Sequence, residues 1–159
     1  MTQPIQSFYR FMKQYADFMD EMATAEDRKY QALISRDLER MDKTIADCQA
    51  MLMRLDKMEA QREQLQKEAG WGGFVFREII DHLEDGPRES FMDLFERISR
   101  TVALIQHSNQ KSMSYADMGL YINDMLPKDE AADTTYTASG EKQKKNDGNQ
   151  AGSVFQTKI

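Results

Sequence analysis

Proline occurs only three times in the 159-residue chain, at Pro4, Pro87 and Pro127. Proline breaks a helix by removing a backbone donor and clashing with the preceding turn. Its scarcity therefore permits long uninterrupted helices over residues 5–86 and 88–126. Cys48 is the single cysteine, so an internal disulfide framework is excluded and a reducing compartment is the natural setting. No apolar run approaches the ~20 residues that a membrane helix needs. The opening stretch MTQPIQSFYRFMKQY lacks a charged-then-apolar signal pattern, and no membrane insertion is expected. Positive charge is also short: the net charge is -6 and the pI near 5.0. No basic stripe offsets it, which argues against nucleic acid as a partner.

What is present points to one all-α domain. Hydrophobic residues make up 40% and charged residues 30%, a mix that suits an elongated antiparallel helical bundle or coiled-coil hairpin. Over about residues 5–34, Ile5, Phe8, Met12, Tyr15, Met19 and Met22 recur in steps of three and four, with Phe11 and Phe18 widening the stripe. The pattern fails at Glu26 and Lys29 and resumes on a shifted phase at Tyr30, Leu33 and Ile34. With no glycine or proline there, this reads as a change of packing partner and not as a loop.

Ser35 or Asp37 is placed to cap a new helix, although a helix running straight through fits the pattern too. The second helix spans about 38–69, with Leu38, Met41, Ile45, Cys48, Leu52 and Leu55 on a coiled-coil repeat that must find a partner. It ends at Gly70, and Gly72-Gly73 mark a turn around Trp71, whose indole most simply anchors that turn. A short helix over 74–84 carries Phe76, Ile79, Ile80 and Leu83 on one side, and Asp85-Gly86-Pro87 stops it. The last helix, 88–126, has a seam of Phe91, Leu94, Phe95, Ile98, Val102 and Ile105. This seam turns polar through Asn109 and Ser112, then becomes apolar again at Met118, Tyr121, Ile122 and Met125.

Residues 127–159 differ in character, with five basic and five acidic residues and few large apolar groups. So little apolar area cannot offset an ordering cost of roughly 1–2 kcal/mol per residue, and the composition predicts a disordered tail that folds on binding. Tyr136, Val154, Phe155 and Ile159 are spaced along it as anchors for a partner.

No enzymatic chemistry is expected. His82 and His107 sit on different helices without the Glu-x-x-His pairing of a helical metal site, so neither metal nor cofactor is predicted. Cys48 lies at a seam position, where a buried small residue is the simpler reading than a nucleophile. No glycine-rich loop cradles phosphate. The twelve methionines fill a thin core in the simplest reading. Those near the tail, Met113, Met118 and Met125, suit an adaptable binding surface, because the thioether conforms to differing partners.

Four stretches stand out: Ser35-Arg36-Asp37-Leu38-Glu39-Arg40-Met41, Leu55 to Arg62, Asn109 to Tyr115, and Thr135-Tyr136-Thr137-Ala138-Ser139-Gly140. Taken in this order, they resemble the FlgN family of flagellar export chaperones. Residues 70–89 follow the family pattern less closely. The resemblance implies a cytoplasmic type III secretion chaperone that holds the C-terminal helical segments of hook–filament junction proteins and delivers them to the flagellar export gate. It implies a client-binding role for the tail and gate docking by Tyr136. With the exposed-methionine reading, the candidate client-binding set is Met113, Met118, Tyr121, Ile122, Met125, Val154, Phe155 and Ile159. Two other readings stay open. One is a chaperone for another client, such as the filament cap. The other is a homodimer paired through the second helix.

Overall fold

The computed structural model describes residues 1–125, and the anchors and tail beyond them lie outside the described residues. Four helices and no strand are present among the described residues: α1 Gln3–Ser35, α2 Leu38–Glu68, α3 Phe76–Asp81 and α4 Asp85–Met125. The all-α bundle expected from the periodicity is what forms.

The α1–α2 connection is a tight hairpin. Ser35 is the last residue of α1, and Arg36 takes a left-handed φ of 56°, its N–H donating to the Leu33 carbonyl at 3.3 Å. Asp37 then caps α2, its carboxylate accepting from the Arg40 N–H at 3.1 Å. This satisfies one of the free donors of the first turn. At the far end of α2, Gly70 adopts φ 87°, and the Trp71 N–H returns to the Gln66 carbonyl at 3.0 Å. The buried Gln66 amide holds the turn from inside, donating to the carbonyls of Trp71 at 2.8 Å and Phe74 at 2.6 Å.

The short third helix is trimmed to Phe76–Asp81, narrower than the 74–84 expected. α4 in turn begins earlier than expected, at Asp85 instead of Arg88, with Gly86 and Pro87 inside its first turn. Backbone N–H groups of a first turn have no intrahelical acceptor, so proline removes nothing there.

The long helices run up, down and up. Tyr15 on α1 donates to Glu59 on α2 at 2.5 Å, and the Cys48 thiol reaches the Ala25 carbonyl at 3.5 Å, which makes α1 and α2 antiparallel. Phe8 packs on Phe91, Asp20 meets Arg97 and Thr101, and Lys29 reaches Asn109, so α4 runs parallel to α1. Both α2 and α4 pack closely on α1, and the backbones of α2 and α4 do not approach each other as they approach α1. The first helix is thus the axis of the bundle, consistent with its wide apolar stripe. Phe8, Phe11, Met12, Tyr15, Phe18, Met19 and Met22 are all buried.

The core is uneven along this axis. Near the α1 N-terminus, Phe8, Trp71, Phe76 and Phe91 form an aromatic cluster with centroid spacings from 5.8 to 6.3 Å. Trp71 is buried in this cluster and anchors the turn, the simpler of the readings for an indole set among glycines. Midway, Arg97 clamps α4 to α1 through Asp17 at 2.7 Å and Asp20 at 2.5 Å. Partial burial would raise the Asp20 carboxyl, but hydrogen bonds from Arg97 and Thr101 outweigh it and hold the group below its ordinary value. Toward the α1 C-terminus, beyond the fully buried Ile105, the buried residues become small or polar: Ala25, Glu26, Ala32, Thr44, Cys48, Ser108 and Ser112.

Candidate functional site: an uncovered apolar shelf at the α4 end

The shifted phase expected at Tyr30, Leu33 and Ile34 does not become core. Ala25 and Ala32 are buried, while Ile34 is 43% exposed. Glu26 and Lys29, which break the repeat, form a 2.6 Å ion pair with Glu26 only 3% exposed, and Lys29 also donates to Asn109 at 3.4 Å. A buried charged pair stands where the heptad lapses, so α1 is held to α4 there by polar contacts and small side chains.

The second-helix seam is likewise only half used. Cys48 and Leu55 are buried against α1, but Leu38 is 75% exposed and Ile45 39% exposed, and Thr44 takes the buried position beside Ile45. A helix with one neighbour buries one edge of a two-edged seam. Cys48 is the small buried residue expected: burial, then the negative charge of Glu26, pushes its thiol up to about 11. That environment is the reverse of what activates a nucleophile. Both histidines are exposed, and no cluster of metal-ligating side chains occurs among the described residues.

Among the described residues, seven of the ten exposed large apolar residues lie toward the α1 C-terminal end of the bundle: Ile34, Leu38, Ile45, Met113, Met118, Leu120 and Met125. Helix register explains why. Lys111 lies over the Tyr30 ring, and α1 ends about five residues later, so α1 stops level with about residue 116 of α4. The remaining residues to Met125 project past α1 by about 13 Å, at ~1.5 Å per residue. Of the candidate binding residues, Met118 and Met125 are exposed on this stretch and Tyr121 and Ile122 occupy it as well, while Met113 is exposed just before it, alongside the last turn of α1. Tyr136, Val154, Phe155 and Ile159 lie outside the described residues. Leu120 adds to the overhang without having been singled out as a binding residue, and its exposure depends on the register between α1 and α4; Ile34 and Leu38 are exposed nearer the α1–α2 hairpin.

The arrangement defines a class: a small helical bundle, well packed at one end, that offers apolar surface at the other. It suits a protein that works by holding another protein. The family model described as FlgN protein matches residues 1–144, and the chain belongs to the FlgN family. FlgN proteins are chaperones of flagellar export, and that general role applies to this chain. Neither the curated proteins nor the solved structures compared with it gave a match. No described helix is long and apolar enough to cross a membrane.

Proposed function

We propose that this protein is a cytoplasmic chaperone that binds the C-terminal helical segments of hook–filament junction proteins and hands them to the flagellar type III export gate. The observation that carries the reading is the α4 overhang, where Met118, Leu120 and Met125 stand more than 60% exposed with no other described helix opposite. Large apolar groups concentrated at one place mark an interaction site. A helical overhang carrying them fits the mode in which an amphipathic client helix buries its apolar face along a partner helix.

In this reading α4 leads directly into residues 127–159, which fold on the client through Val154, Phe155 and Ile159, while Tyr136 engages the gate. Ordering such a segment offsets about 2–5 kcal/mol of the gross interaction, which keeps the client releasable. Release matters, because an exported chain must leave its chaperone before it passes the gate.

Deleting residues 127–159 tests the division of labour. The truncated protein should keep its helical circular dichroism per residue over the bundle, yet lose co-purification with junction proteins. Undiminished capture would remove the tail from the binding site. Capture of the filament-cap protein instead of junction proteins would replace the proposed client.

A further inference from the structure

Beside the shelf, between α1 and α4, lies a pocket of about 470 Å³ whose walls include Tyr30, His107, Lys111, Ser114, Tyr115 and Met118. Apart from Met118, its wall is made of groups that can donate hydrogen bonds. Lys111 is the only lysine or arginine on α4 after Arg100, while Asp117 and Asp124 follow it on the same helix. Its ammonium sits 4.5 Å from the centroid of the Tyr30 ring. It takes part in no ion pair among the described residues, where the other cations that bridge α1 and α4 meet an oxygen acceptor. A partly buried cation resting on an aromatic face keeps its outer side available to an anion.

We propose that this pocket receives a side-chain carboxylate of the docked helix, and so selects which amphipathic helix the shelf accepts. The proposal rests on the helix-docking reading above and adds a chemical requirement to it. Lys111, Met118 and Met125 are spaced seven apart on α4, about 10 Å per step, and therefore share one face. A helix lying along that face meets Met118 and Met125 with two apolar residues seven apart. The next residue in the same series, a further seven along, reaches Lys111 and is Asp or Glu. Hydrogen bonds from Tyr30, Tyr115 or Ser114 would then fix the carboxylate beside the ammonium, a pairing strengthened by removal from water. In a chain of net charge -6 this cation favours such a helix over one that is apolar alone.

The test uses the full-length protein and a synthetic peptide of a junction protein's C-terminal helix, amidated at its end so that only side-chain carboxylates remain. Binding is followed by fluorescence anisotropy at low and high salt. Lys111→Met should weaken binding about tenfold and flatten its salt dependence, and Lys111→Arg should retain most of the affinity. A peptide with the matching Glu or Asp made neutral should bind wild type weakly and be indifferent to Lys111→Met. Equal affinity of wild type and Lys111→Met for the unmodified peptide overturns the proposal. If Met118→Ser with Met125→Ser abolishes binding while Lys111→Met leaves it intact, the pocket's role falls and helix docking stands. If none of these variants alters binding, both fall. A Lys111→Met effect confined to concentration-dependent self-association would assign the pocket to a second copy and also overturn the proposal.

Discussion

Replacing Phe91 by alanine is expected to cost about 3–5 kcal/mol of folding stability, the usual range for emptying a fully buried phenylalanine site. Phe91 is 0% exposed, and its ring meets Tyr9 at 5.0 Å, Phe8 at 6.2 Å, Phe76 at 6.1 Å and Trp71 at 6.3 Å. Those four rings belong to α1, α3 and the turn that precedes α3. One side chain thus ties the start of α4 to everything packed around it, and four rigid neighbours cannot all collapse into the space it leaves. A domain of this kind has only about 5–15 kcal/mol to lose. In urea the midpoint should fall steeply with an unchanged slope, since the area exposed on unfolding is nearly the same. A loss below about 1 kcal/mol would mean that the aromatic end is not the part that holds the bundle together.

The double substitution Met118→Ser and Met125→Ser should do the opposite, sparing the fold and removing function. The two side chains are 61% and 69% exposed, so neither contributes appreciable core burial. Stability should stay within about 0.5 kcal/mol of wild type. Burying a methionine against a client is worth about 1.5 kcal/mol or more, which places the combined loss of affinity near 100-fold. Titration calorimetry with a junction-protein segment measures it directly. Met53→Ser is the control: this residue is 68% exposed but lies away from the shelf on α2, and both stability and affinity should be unchanged. If the control and the double variant lose affinity alike, general surface apolarity is responsible and not the α4 shelf.

These contrasting outcomes reflect which parts of the molecule could be read from the chain alone. The α1 stripe from Phe8 to Met22 was legible because one helix packed on both sides must be apolar over a wide arc, and a period of three and four residues reveals that arc. A cap at Ser35 or Asp37 was legible, with the structure deciding for Asp37, and so was Gly70 as the stop after α2, because the chemistry there is local. The fate of Ile45 and Leu38 was not. A two-edged seam announces a partner for each edge, and only the packing of α1 on one edge decides which residues stay uncovered. The early start of α4 was obscured by Gly86 and Pro87, which look like a break but sit where a helix has no backbone bonds to lose.

Within the site, Met113, Met118 and Met125 could be singled out by composition, since they stand near the end of the last helix beside polar neighbours. The pocket at Lys111 could not be. It exists only because Tyr30 comes level with Lys111, a pairing across 81 positions of sequence set by the aromatic cluster at the other end. The same register lets α4 outrun α1, and the shelf is the direct consequence.

Amide hydrogen exchange over residues 117–125, with and without a junction-protein segment, tests the central claim most directly. Free protein should exchange quickly there compared with residues 91–105, because no other described helix lies against the overhang, and the bound complex should slow it at least tenfold. Slow exchange in the free protein, or exchange unaltered by the client, would contradict the account.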